Sequence, residues 1–189
     1  MATEVDRMSA FRHETKLKDG TPVLIRLYQP SDISEVQLGL EKLSDMSLQL
    51  RFMTSLRNLP DDQLKKLKRI DHEHHIAICA FDTSQDPMIG VGIARYVRVE
   101  KEPHIAEAAI TVIDEYQNRG LGTELLYQLG KIGLEKGIHF LRAHVLSNNT
   151  PIITIAKRAG AKITHYEGSV LQIDIPVSEA IELMDQRRT

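Results

Sequence analysis

The residues with the most chemistry to offer lie in the run AEAAITVIDEYQNRGLGTELL, 106 to 126. A strand-like stretch leads to a short turn at Asp114-Glu115-Tyr116, and Gln117-Asn118-Arg119-Gly120-Leu121-Gly122 then opens a helix. Glycines let the backbone turn tightly and leave successive N–H groups pointing outward, at a helix end whose dipole favours negative charge. Such a turn can cradle a diphosphate. It is not a Walker A loop, since no Gly-Lys-Ser/Thr follows, nor a GxGxxG fingerprint, since Leu125 stands where the third glycine belongs. On the two glycines alone, an ordinary strand-to-helix turn is the simpler reading. Glu107 is an isolated carboxylate in an otherwise apolar strand, which hints at function against the alternatives of a solvent-facing residue or a cross-strand ion pair. His72-Glu73-His74-His75 does not read as a metal site, because consecutive donors at a strand entrance face opposite ways and cannot converge. Cys79, inside an apolar strand, reads as a small buried side chain and not a nucleophile.

The elements that must position this run follow from period and punctuation. Residues 1 to 20 show no clean period and end in Asp19-Gly20, so they are expected to form a loosely held arm, with one domain over 21 to 189. Val23, Ile25 and Leu27 alternate as a strand, and Pro30-Ser31 starts a helix carrying Ile33, Val36, Leu40 and Leu43. A broken helical pattern follows, with Leu48 and Phe52 in one piece and Asp61 and Asp62 opening another whose apolar side is Leu64, Leu67 and Ile70. The period then changes. Runs 75 to 81, 88 to 97 and 106 to 113 read as an antiparallel meander of three strands. Leu121, Leu125, Leu129 and Ile132 define a helix from Gly120 to Lys136, closed by Gly137. A strand over 138 to 146, a helix capped by Thr150 with Pro151 at its first position, strands near 161 to 166 and 169 to 176, and a helix from Ser178 complete the chain.

Composition narrows the class. The 189 residues carry 24 Lys+Arg and 26 Asp+Glu, a net charge of −2, which argues against a general nucleic-acid binder. No apolar run reaches the roughly 18 residues that span a bilayer, and no signal-type leader opens the sequence. A lone cysteine makes no internal disulfide and suits a reducing cytoplasm.

The 106 to 126 run resembles motif A of the GNAT N-acetyltransferases, Q/R-x-x-G-x-G/A after a strand ending in apolar-x-Val, here Ile110-Thr111-Val112. The stretches SLQLRFM (47 to 53), LPDDQLKKLKRID (59 to 71), HIAICAF, IGVGIARYV and VLSNNTPIITIAKRAGAKI (145 to 163) are similar to the GNAT domain of bacterial protein-lysine acetyltransferases. The resemblance implies an α/β fold of the α+β kind: a mixed, largely antiparallel sheet with flanking helices. It implies acetyl-CoA between two diverging strands and no metal. Ile110, Thr111 and Val112 would hold the pantetheine arm through their backbone. N–H groups of Gln117, Asn118, Arg119, Gly120, Leu121, Gly122 and Thr123 would hold the diphosphate, with the Arg119 charge added. Asn149 matches the family asparagine on the pantetheine side, against the plainer reading of a turn residue before the helix cap.

The same resemblance makes Glu107 the base and the Val112 N–H the oxyanion donor, since splayed strands leave such an amide unpaired. Many relatives carry a tyrosine seven residues beyond the asparagine as general acid. This chain has Ala156 there, and His144, Ser147, Tyr96 and Tyr166 are the available substitutes. The expected activity is acetyl transfer to a primary amine, with a protein lysine or a small-molecule amine as acceptor; a non-catalytic acyl-CoA sensor is the rival, and a homodimer is left open.

Overall fold

The computed structural model describes residues 11–53, 67 and 69–188. Eight strands share one sheet: β1 (Arg12–Lys16), β2 (Pro22–Leu27), β3 (His75–Asp82), β4 (Ile89–Val99), β5 (Glu102–Val112), β6 (Phe140–Leu146), β7 (Lys162–Glu167) and β8 (Val170–Pro176). Five α-helices are described: α1 (Ile33–Glu41), α2 (Asp45–Phe52), α3 (Leu121–Glu135), α4 (Thr150–Arg158) and α5 (Val177–Gln186). The strand order is β1-β2-β3-β4-β5-β6-β8-β7, and every neighbouring pair is antiparallel except β5 with β6.

The sheet separates two cores because side chains alternate along each strand. In β3, Ile76, Ile78 and Ala80 enter the larger cluster with Leu121, Leu125 and Leu129 of α3, while Ala77, Cys79 and Phe81 face Tyr28, Leu67 and Val36 on the other side. Both faces of β3 are therefore covered, and all eight of its residues are buried. Gly92 of β4 lets α3 lie close: a Cβ there would stand 3.1 Å from Leu125 and 3.2 Å from the Thr111 carbonyl. On the opposite face, α1 starts where Arg26 makes two 2.7 Å hydrogen bonds to Asp32. A third core of Val145, Ala156 and Ile173 lies under α4.

Two expectations are corrected. The segment before Asp19-Gly20 is not an arm throughout: Arg12–Lys16 pair in register with β2, from Arg12↔Arg26 to Lys16↔Pro22, across a turn in which Gly20 has φ +87°. The alternating burial of those residues is short and polar, which hides an edge strand from a periodicity reading. The helix after β6 is capped by Asn149, whose side chain accepts from the Ile152 N–H at 3.4 Å, and Thr150 is its first residue. The expected helix opened by Asp61 and Asp62 lies outside the described residues, apart from Leu67 and Ile70.

β5 and β6 pair over three residues only, Ile105↔Phe140, Ala106↔Leu141 and Glu107↔Arg142. Beyond these, β5 stays with β4 to Val112, and β6 stays with β8 to Leu146↔Val170. The parallel step is crossed by α3, as a parallel connection requires.

The entrance to β3 makes a pH prediction. Asp71 Oδ1 accepts the N–H groups of Glu73, His74 and His75 at 2.8 to 2.9 Å, which seats His75 in the sheet. Burial, then the nearby Arg95 charge, push His75 down to about 4. An unfolded histidine titrates near 6.5, so this contribution to stability is complete above about pH 6.5 and is lost as pH falls toward 4. The His75→Gln variant is expected to lose about 1–3 kcal/mol less than wild type between pH 7 and 4.5, a difference of several degrees in Tm. Melts that fall in parallel for both proteins would contradict this.

Candidate active site

Where β5 and β6 part, the direction of each backbone group can be read from one bond. The Ile113 N–H donates to the Val91 carbonyl at 3.1 Å, and the register runs unbroken from Gly92↔Val112 to Arg98↔Ala106. Antiparallel pairing alternates, so Ala109, Thr111 and Ile113 face β4, while the N–H and C=O groups of Ala108, Ile110 and Val112 face the parting. Thr111 therefore has no backbone group to offer there. The Val112 carbonyl is already taken by Gln117 Nε2 at 3.1 Å. Side chains divide in the same way: Ala108, Ile110 and Val112 pack on the α3 core, and Glu107, Ala109 and Thr111 share the opposite face.

The parting leads to the start of α3. A single turn, Asp114–Tyr116, is anchored by the Tyr116 hydroxyl donating to buried Asp82 at 2.6 Å. Asn118 (φ 60°) and Gly120 (φ 93°) take left-handed conformations, which reverse the chain into the helix. No side chain caps α3; the first helical acceptor bond is Glu124 N–H to Gly120 C=O at 3.1 Å, so Leu121, Gly122 and Thr123 have no helical acceptor for their N–H groups. A Cβ on Gly122 would point at Ile110 (3.6 Å), Ile155 and Val112 (both 4.0 Å), into the space between β5 and α4. Gln117 does not share that role. Its N–H donates to Asp114 at 3.1 Å, and its side chain braces Ser47, Val112 and Asp114, so the outward-facing turn is narrower than the sequence suggests, Asn118 to Thr123. Arg119 stacks over Tyr116 and pairs with Asp19 at 2.9 Å, which ties this turn to the β1–β2 hairpin. Lys18 lies over Gly120, its Cε 3.5 Å from where a Cβ would stand, a cation near the turn that sequence spacing did not single out.

Glu107 stands at the last paired residue before the parting. It is exposed, its neighbour Arg142 is committed to Asp174 (2.7 Å) and Glu102 (3.1 Å), and no salt bridge closes on Glu107 among the described residues. Across the strand pair, Arg95 feels the Glu107 charge; burial lowers its guanidinium pKa and Glu107 opposes that. Asn149 is buried at the head of α4, its amide oxygen turned to its own helix.

This geometry meets an independent finding. The acetyltransferase (GNAT) family model matches residues 44–161. The chain belongs to the GNAT family. It is 28% identical over 179 residues to acetyltransferase Pat of Mycolicibacterium smegmatis, covering 92% of this chain but 53% of that protein, so it spans about half the length of that relative. Among solved structures, the GNAT domain of S. lividans PAT superposes with TM-score 0.79 at 23% identity, over 87% of this chain and 96% of that one. The structure of yncA, a putative acetyltransferase from Salmonella typhimurium with its cofactor acetyl-CoA, superposes with TM-score 0.65 at 15% identity, over 82% and 94%.

The GNAT sheet, with its mixed and mostly antiparallel strands, is thus the fold expected from the motif. Ala156 is buried against Val145 and Ile173. Of the substitutes for a tyrosine there, Tyr96 is sealed in the α3 core, where burial pushes its phenol pKa up and its hydroxyl has no partner among the described residues. His144 lies on the Glu107 face against the exposed Tyr166 ring, 4.4 Å between centroids. Cys79 is buried and burial pushes its thiol up, which suits packing and not nucleophilic attack. No group of three or more metal-binding side chains occurs among the described residues.

The space beside Gly122 can be filled by substitution. Gly122→Val is expected to keep the fold, since a Cβ there meets side chains at ordinary contact distance, and to weaken acetyl-CoA binding at least tenfold in calorimetry. Unchanged affinity in a folded variant would remove the α3 turn from the site.

Proposed function

We propose that this GNAT domain binds acetyl-CoA in the parting of β5 and β6 and transfers the acetyl group directly to a primary amine, a protein lysine in keeping with its resemblance to bacterial protein acetyltransferases. The observation that carries the reading is the line of backbone groups that neither β4 nor β6 takes up, the Ala108 carbonyl, both groups of Ile110 and the Val112 N–H, which leads to an uncapped helix start. The residues present suit an extended amide-bearing arm ending in a diphosphate: strand-like bonds from Ile110 and Val112, N–H groups from Asn118 to Thr123, and side-chain space at Gly122. Bound acetyl-CoA supplies an activated thioester.

Glu107 accepts the proton of the incoming ammonium, directly or through a water, and releases it to solvent. A lysine-type amine has a pKa near 10.4, so removing that proton is the first requirement at neutral pH. The nitrogen lone pair then attacks the carbonyl carbon, the C–S bond breaks with the electron pair leaving on sulfur, and the second proton of the attacking nitrogen passes to solvent as the amide forms. The oxyanion donor cannot be Val112 if Glu107 is the base. Five residues of strand separate them by about 17 Å, whereas the parting-facing N–H of Ile110 lies within about 10 Å along β5; the Ala108 N–H is nearer but completes the parallel pair of Glu107 with Arg142. Val112 is then a pantetheine contact. The single cysteine, buried, accords with a cytoplasmic setting, and no described helix is long and apolar enough to cross a membrane.

Glu107→Gln should lower kcat by about 10²- to 10⁴-fold with acetyl-CoA affinity nearly constant. A loss under about threefold in steady-state kinetics would return Glu107 to the role of a solvent-facing residue. Because Ala156 offers no acid and a thiolate of pKa near 8.5 leaves without one, kcat/KM is expected to rise in a single limb from about pH 6 to 9. A descending limb abolished by His144→Ala would show that His144 protonates the leaving group instead.

A further inference from the structure

On the face of the sheet that carries Glu107, two arginines share one cleft. Arg51, in the last turn of α2, and Arg95, in the middle of β4, meet between Leu40 and Phe52 on the helix side and Ile93, Ala109 and Thr111 on the sheet side. The cavity is about 30 Å3, more than a single water needs and enough for a small polar group. Arg51 uses its Nε–H on Thr111 Oγ1 at 3.0 Å and stacks on Phe52, its guanidinium carbon 4.7 Å from the ring centroid. Those two contacts fix the plane of the fork and leave its terminal N–H groups without a hydrogen-bond partner among the described residues. Arg95 reaches His75 Nε2 at 3.5 Å, a ring held neutral near pH 7, and forms no salt bridge among the described residues. Desolvation, then mutual repulsion from Arg95, lower the Arg51 pKa to about 10.

Two like charges partly withdrawn from water, with no ion pair to either fork among the described residues and the Glu107 charge acting on Arg95, favour an anion between them. An arginine fork matches a carboxylate in shape and charge, and two forks in one cleft select it over a neutral amide. Arg95 is the register partner of Ala109, and Arg51 is bonded to Thr111. The cationic centre therefore lies two to four residues along β5 from Glu107, on the order of 7 to 14 Å. Resting on the acyl-transfer reading above, we propose that Arg51 and Arg95 form a carboxylate subsite for the acceptor, so that the amine substrate carries an acidic group at that spacing. A lysine followed by an acidic residue meets it, and so does a free long-chain ω-amino acid.

The test compares kcat/KM for two matched acceptor pairs, with acetyl-CoA and the full chain. One pair is an N-acetylated, C-amidated Gly-Lys-Glu-Gly peptide and its Gln counterpart; the other is 6-aminohexanoate and its amide. The acid is expected to be preferred about 10- to 100-fold in at least one pair, and the ratio should fall below about threefold in both Arg51→Gln and Arg95→Gln. Preference in the peptide pair alone assigns the carboxylate to a protein acceptor, and in the hexanoate pair alone to a small molecule. Equal rates for acid and amide in both pairs, or a ratio that survives both substitutions, would overturn the subsite. Arg95→Gln leaves the Arg51–Thr111 bond in place and serves if Arg51→Gln does not fold. Should no amine turn over while acetyl-CoA binds, the acyl-transfer reading fails by itself; calorimetry with glutarate then decides the subsite, binding to wild type and loss in both variants supporting it, no binding to wild type overturning it.

Discussion

β5 can be hydrogen-bonded along its whole length on one side only, because β4 and β8 draw β5 and β6 in different directions after Glu107↔Arg142. A twisted sheet tolerates such a split when each half keeps its other partner and its own helix cover. Here α3 covers the β5 half and α4 the β6 half, so the parting stays open without exposing either core. Everything assigned to the site depends on it: the Ala108 carbonyl, the Ile110 backbone and the Val112 N–H, and the uncapped start of α3 at their end.

The alternation of a strand then assigns chemistry to sides. The side chains of Ala108, Ile110 and Val112 enter the α3 core, whereas those of Glu107, Ala109 and Thr111 lie on the opposite face, where Thr111 meets Arg51 of α2 and Glu107 is exposed. One short strand therefore binds through its backbone on one edge and presents acid and hydroxyl side chains on one face. The braces around it are polar and short. Gln117 links α2, β5 and the α3 turn, Tyr116 with Asp82 anchors that turn to β3, and Arg142 with Asp174 and Glu102 fixes the last paired step. At Asp82, burial by itself would raise the carboxyl pKa, but bonds from Tyr116 and Ser84 outweigh it and hold it below the ordinary range.

Much of this was legible in the chain. The Leu121, Leu125, Leu129, Ile132 stripe gave α3, and the glycines before it marked a turn whose left-handed residue is Gly120. Four features were not evident from the local pattern. Arg12–Lys16 is an edge strand with a polar alternation, which local period does not distinguish from a loose arm. Gln117 looked like a ligand donor because it opens the motif, yet its donors are spent internally, a fact that only tertiary neighbours such as Ser47 reveal. Val112 lies five residues from Glu107, about 17 Å once both stand on one extended strand, a separation that only the placement of both within β5 makes plain. Arg51 and Arg95 meet across elements far apart in sequence, and neither carries a local pattern that points to the other.

Residue-resolved amide hydrogen exchange with and without acetyl-CoA tests the parting as the cofactor site most directly. Binding there should slow exchange at Ile110, Val112 and Leu121 to Thr123, while Ala109 and Thr111, whose N–H groups already face β4, change little. Protection spread evenly along β5, or confined to residues away from the parting, would contradict it.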